Sequence, residues 1–280
     1  MTQRPQDLVF TLFGEYLLGR AQPVWVGGLI ALLRPFGLSE AAVRTVLSRM
    51  ARKGWLQATR KGRLAFYDLT PRGRALLEEG KARIYHPPQD VPWSGRWYLV
   101  SYSIPERVRH RRDRLRTRLA WLGFGSLGNG LWISPHEVGE EVAALARDLQ
   151  IEENLECFRA TLEGKRDPRT LVAHCWDLAA INERYRGFIA RWQARLDACS
   201  REAEAGGIAE ERAYVLRFRL IHEFRGFYME DPFLPPELLP PDWEGRNAAA
   251  LVEKLHALCE GPADAYVERI LTRNSDDEPS

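Results

Sequence analysis

The chain has 280 residues, 45% hydrophobic and 28% charged, the balance of a folded protein with room for two or three cores rather than of a disordered or collagen-like chain. No uninterrupted apolar run approaches the roughly 20 residues of a membrane-spanning helix, and Asp7 falls where a signal peptide would be apolar, so a cytoplasmic protein with no membrane partner is expected. Net charge is only +2, and four scattered cysteines without a C-x-x-C pair point to buried thiols rather than to a zinc site or a disulfide framework.

Taken in chain order, VWVGGLIALLRPFG predicts a supporting helix, and SEAAVRTVLSRMARKGW predicts a second helix with Ser39 as its cap. Val43, Val46, Leu47 and Met50 recur at i, i+3, i+4 and i+7, one apolar stripe that faces a core. At about 100° per residue, Thr45, Ser48 and Arg52 point away from that stripe with Arg44 and Arg49 beside them and Lys53 following. Guanidiniums and hydroxyls so placed suit a major groove, where Arg pairs bidentately with guanine. Next, WLQATRKGRLAFYDLT alternates on both sides of Lys61-Gly62 and predicts a hairpin displaying Arg60, Lys61 and Arg63. From Arg44 to Arg74 nine basic residues stand against Asp68 alone, a local field that holds phosphate. A lone basic helix is more often a solvated face. Three helices followed by a basic-tipped hairpin, in that order, favour a winged helix-turn-helix over residues 1–86.

Prolines in HPPQDVPW end this module and predict a linker. Beyond it, WYLVSYSI reads as a strand, RHRRDRLRTRLAWLGF as a helix, GLWISP as a strand, HEVGEEVAALARDL as a helix and NLECFRATLEG as a strand. With a further strand near Phe124 to Leu127 the order is βαββαβ, a ferredoxin-like domain over 87–168. Its first helix carries Arg107, Arg109, Arg111, Arg112, Arg114, Arg116 and Arg118, either a solvated face paired with acids such as Glu140 and Glu141 or a second anion surface. Residues 169–273 predict a helical domain, and 274–280 a disordered tail. The fold class expected is therefore α+β.

The strings VRTVLSRMARKGWLQATRKGR and FYDLT, then GRWYLVSYSIPE and LGFGSLGNGLWISP, then LIHEFRGFYMEDPFLPPELLPPDWEG resemble the PaaX-type repressors of phenylacetate catabolism over nearly the whole chain. The resemblance implies a homodimer bound to double-stranded operator DNA, released by an aryl-acetyl-CoA thioester, phenylacetyl-CoA in the namesake members, with no cofactor and no enzymatic activity. That family's central domain is similar to small CRISPR-associated nucleases that hold a metal with a carboxylate at the end of the first strand. Ser103 occupies that place here, and a hydroxyl is a poor substitute for a carboxylate on a hard metal. A metal-dependent nuclease is therefore the weaker alternative, beside a DNA-binding protein without an effector.

For the effector, AYVLRFRLIHEFRGFY is apolar almost all round yet carries Arg217, His222, Glu223 and Arg225. Either these form a structural network with carboxylates such as Glu223 or Asp231, or Arg217, His222 and Arg225 bind the anionic ligand. Trp176 and Tyr185, in WDLAAINERYRGF, match a further string of the family and are candidates for the same cavity.

Overall fold

The computed structural model describes residues 4–85 and 92–273. The tail at 274–280 and the linker from His86 to residue 91 lie outside the described residues. The chain is mixed α/β, and among the described residues its strands form two antiparallel sheets. It divides into two compact units. One holds the chain up to residue 86 with 188–225 and the C-terminal residues from 247, and the other holds 87–187 with 226–246. The helices that follow residue 169 are thus shared between both units.

In the first unit, α1 (Pro5–Leu12) runs on into a π-helical turn at Phe13–Leu17. A short β1 (Val24–Trp25), α2 (Val26–Leu33) and α3 (Glu40–Arg52) follow. Next come β2 (Leu56–Lys61), β3 (Leu64–Leu69) and α4 (Pro71–Tyr85). The sheet order is β1-β3-β2, with β2 and β3 in register from Leu56↔Leu69 to Lys61↔Leu64. That register leaves Gly62 and Arg63 as the two-residue turn, one residue later than the expected Lys61-Gly62. Gly62 has φ 58°, a left-handed value that glycine adopts without strain and that a twist-matched two-residue hairpin requires at its first position. The core is built from the inner faces of the helices, with Leu12, Leu29, Leu32, Leu33, Val43, Leu47 and Met50 all fully buried.

Into this unit the chain returns with α9 (Glu210–Phe224). The Tyr214 hydroxyl donates to the Leu32 carbonyl at 2.6 Å, and Phe218 stacks on Phe36 with centroids 3.8 Å apart. Tyr214 also stacks on Tyr266 of α10 (Gly245–Arg273) at 5.0 Å. The last stretch of α8 (Leu178–Glu204) belongs here as well.

The second unit contains β4 (Arg96–Tyr102), α5 (Arg109–Trp121), β5 (Gly125–Gly128), β6 (Leu131–Ser134), α6 (Gly139–Leu149) and β7 (Leu155–Thr161). The sheet order is β5-β6-β4-β7, all pairs antiparallel, which is the ferredoxin-like arrangement of βαββαβ. One face of the sheet packs on both helices through Tyr98, Val100 and Trp132 against Leu115, Leu119, Val142 and Ala146. The strand expected near Phe124 is β5, at the sheet edge beside α7 (Pro168–Cys175).

Candidate nucleic-acid interface and a second polar cluster

The surface of α3 follows from its sequence period. The Ser39 hydroxyl accepts from the Ala42 amide at 3.3 Å and starts the helix, and the carbonyl-rich end closes where Gly54 takes φ 72°. Val43, Val46, Leu47 and Met50 are buried, which turns Arg44, Thr45, Ser48, Arg49, Arg52 and Lys53 to solvent. Arg44 donates from Nε to Glu40 Oε1 at 2.9 Å, and its Nη2 lies 2.8 Å from the same oxygen in an ion pair. Lys53 reaches Gln6 Oε1 at 3.4 Å. Arg60, Lys61 and Arg63 are exposed around the hairpin turn, with the Lys61 ammonium 5.5 Å from the centre of the Phe66 ring. The elements presenting these cations are braced from behind. Arg72 lies over the Trp55 ring at 4.2 Å and Phe10 meets that ring edge-on. All nine candidate residues therefore belong to one unit, and all are exposed.

The five candidates for effector contact divide between the two units. Arg217, His222 and Arg225 belong to the first unit and are engaged by the N-terminal helix. Arg217 is buried and donates from Nε to Glu15 Oε1 at 2.7 Å and from Nη1 to Asp264 Oδ1 at 2.7 Å. Glu15 Oε1 also lies 2.7 Å from His256 Nε2, and its Oε2 accepts from the Tyr85 hydroxyl at 2.8 Å. Burial alone would raise the Glu15 carboxyl, but the His256 hydrogen bond and the Arg217 charge outweigh it and hold the group below its usual value of 4.5. His222 Nδ1 and the Thr11 hydroxyl are 2.8 Å apart, while Arg225 donates to that hydroxyl at 2.8 Å and to the Asp7 carbonyl at 3.0 Å. Burial first, and then the charge of Arg225, push His222 down to about 4.

The two carboxylates expected to pair with these cations have other partners among the described residues. Glu223 accepts from Arg191 at 2.5 Å and from the Trp192 indole at 2.9 Å, and Asp231 accepts from the Tyr185 hydroxyl at 2.7 Å. Sequence reading missed Glu15. The available signal was a lone carboxylate inside the apolar run LVFTLFGEYLLG.

Trp176 and Tyr185 lie in the second unit. Tyr185 is fully buried, stacked on Phe227 with centroids 4.0 Å apart. Trp176 lines an open cavity of about 400 Å³ with Phe124, Trp132, Ile181 and Arg184. Gly125 borders it because a Cβ there would sit 2.6 Å from Cys175 Cβ and 2.7 Å from the Trp176 ring. Among the five, Trp176 alone lines this cavity.

The remaining basic helix is acid-paired at Arg109, Arg112 and Arg114. Arg112 binds Glu106 at 2.9 Å, Arg109 lies 3.6 Å from Asp113, and Arg114 lies 3.5 Å from Asp148, while Arg111 donates to the Gln150 carbonyl at 2.9 Å. The partner is the expected acidic helix, α6, which holds Glu140 and Glu141 and meets the arginines through Asp148 and its C-cap residue Gln150. Ser103 is exposed just past β4. Among the described residues, no three His, Cys, Asp or Glu side chains are grouped to hold a metal, and no single helix is long and apolar enough to cross a membrane.

Three stretches match known family descriptions: residues 4–73 match "PaaX-like protein", residues 90–172 "PaaX protein central Cas2-like domain" and residues 176–269 "PaaX-like protein C-terminal domain". The transcriptional repressor PaaX of Escherichia coli (strain K12) is 32% identical over 265 residues, covering 93% of this chain and 82% of that protein. Among solved structures, an uncharacterized protein from Mycobacterium tuberculosis has the same fold, with a TM-score of 0.57 at 24% identity over 92% of this chain and 96% of that one.

Proposed function

This chain belongs to the PaaX family, and on that premise we propose that it is a DNA-binding transcriptional repressor whose N-terminal module is a winged helix-turn-helix. The observation that carries the reading is the outward row of α3, in which, past Ala41 in the first turn, the side chains opposite the buried stripe are the hydroxyls of Thr45 and Ser48 and the guanidinium of Arg52, flanked by Arg44 and Arg49. Two further features agree with it. The α2 segment and α3 cross at 117°, within the range of helix-turn-helix pairs, and the β2–β3 hairpin carries its cations at the turn like a wing. In this reading α3 enters the major groove, and Arg44, Thr45, Ser48, Arg49, Arg52 and Lys53 face bases and phosphates. Arg60, Lys61 and Arg63 grip the backbone.

The protein acts in the cytoplasm as a homodimer that places two copies of α3 on half-sites about one helical turn apart or a multiple of it, and it performs no chemistry. An aryl-acetyl-CoA thioester, of which phenylacetyl-CoA is the first to test, releases it from the operator of aromatic catabolic genes. The apolar cavity beside Trp176, with Arg184 at its wall, supports an aryl group near a cation. Because Arg217, His222 and Arg225 already hold the N-terminal helix, their part is to couple ligand to α1 rather than to line a pocket.

Selection of bound duplexes from a randomised library by the purified full-length protein tests the function. An enriched pair of inverted half-sites is expected, and a pool with no enriched sequence would overturn the proposal.

A further inference from the structure

The cations of α3 are not equivalent. Arg49 and Arg52 are exposed and have no carboxylate partner among the described residues, so each samples many rotamers. Arg44 is held: its Nε donates to Glu40 Oε1 at 2.9 Å, and its Nη2 lies 2.8 Å from the same oxygen in an ion pair. A guanidinium has two usable edges, Nε with Nη2 and Nη1 with Nη2, and each matches a pair of acceptors. Occupying the first edge leaves the second as the one available to a partner. Glu40 also has a particular place on the helix. At about 100° per residue it lies between the buried stripe and Arg44, so it backs the guanidinium from the flank instead of standing on the outward axis.

A carboxylate beside a polyanion's binding face weakens binding in proportion to its field. As a helix-stabilising pair, exposed Glu40–Arg44 contributes little. What the pair gives beyond that is orientation. Glu40 fixes the plane of a side chain that otherwise loses several rotamers on binding, and the free Nη1/Nη2 edge has the spacing that guanine presents through O6 and N7.

Resting on the reading of α3 as the groove-facing helix, we propose that Glu40 is a specificity-determining residue: it positions Arg44 to read one guanine in each half-site and thereby trades overall DNA affinity for base discrimination. Arg49, Arg52 and Lys53 remain adaptable contacts.

Equilibrium binding of the wild-type protein, Glu40→Gln, Arg44→Lys, Arg44→Ala and Glu40→Gln/Arg44→Ala to the selected operator, to its single-base variants and to unrelated duplex tests this. Glu40→Gln is expected to bind unrelated duplex several-fold more tightly while losing about 10-fold of discrimination at one guanine position. Arg44→Lys keeps the charge without the planar two-donor edge and is expected to lose discrimination at that same position. In the Arg44→Ala background, Glu40→Gln should add no further loss there. A pair that merely stabilised the helix would lower affinity evenly across all bases and lower the melting temperature. Uniform loss, full discrimination in Glu40→Gln, or an effect of Glu40→Gln that persists without Arg44 would each overturn the inference. A wild-type protein that prefers no sequence would instead overturn the functional reading on which it rests.

Discussion

Arg52 shares the outward face of α3 with Thr45 and Ser48 and Arg49 flanks them, on a helix whose other face is closed by Val43, Val46, Leu47 and Met50. Neither arginine takes part in packing, so Arg49→Ala or Arg52→Ala should leave the melting temperature within about 1 °C while weakening operator binding by about 1–3 kcal/mol per lost base contact. Unchanged affinity in both variants would remove α3 from the groove. His222 carries a prediction of the opposite kind, on stability rather than binding. It is held neutral in the fold down to about 4, whereas an unfolded histidine takes up its proton near 6.5. Between those values the unfolded chain binds more protons, so stability falls as pH is lowered from 6.5 towards 4. Thermal melts across that window should show the loss, and His222→Gln should flatten it. An unaltered pH slope in the variant would assign the acid sensitivity to other groups.

At the scale of elements, the hairpin separates charge from sequence reading. Arg60, Lys61 and Arg63 surround a turn whose only structural demand is the left-handed Gly62, so replacing the three by Gln should not unfold β2 and β3. Operator and unrelated duplex should weaken alike, and the slope of log affinity against log salt should flatten by about 0.9 for each phosphate contact removed. A slope equal to that of the wild type would show that the hairpin does not touch DNA. These elements were legible because local rules specify them: period 3.6 on α3, period 2 around a glycine turn, and short apolar runs rich in aromatic and β-branched residues in β4 and β6. The hairpin turn was misplaced by one residue because both Lys61-Gly62 and Gly62-Arg63 put glycine in a two-residue loop, and only the cross-strand pairing of Lys61 with Leu64 decides between them. The partners of α9 were not legible at all. Arg217 and Glu15 are 202 residues apart, and Arg225 and Asp7 are 218 apart, so no window of sequence contains both ends of either contact. Glu223 and Asp231 were attractive partners only because they were near in sequence.

For the whole molecule, the same long-range contacts bear on how a ligand would empty an operator. The N-terminal module is not self-contained: α1 is tied to α9 by Arg225 and His222, and its π-helical turn to α9 and α10 by Glu15, Arg217 and His256. A buried charge pair of this kind is costly to break on one side, about 3–5 kcal/mol, so the arrangement around Glu15 is either made or unmade rather than gradually deformed. Any conformation of the C-terminal residues that repositions α9 must therefore act on α1, within the module that carries α3. The ligand itself need not approach DNA. It need only favour the conformation that does not fit the operator, and a 100-fold preference corresponds to about 2.7 kcal/mol of coupling, enough to dissociate a repressor held near its Kd. Thermodynamic linkage makes the effect reciprocal, so operator duplex should weaken the binding of the thioester by the same factor. Calorimetric titration of phenylacetyl-CoA into the free protein and into its operator complex measures both affinities, and Glu15→Gln should reduce the difference between them while leaving binding to the free protein in place. Equal affinities in the two wild-type titrations would show that this thioester, even where it binds, is not the signal that releases the protein from DNA.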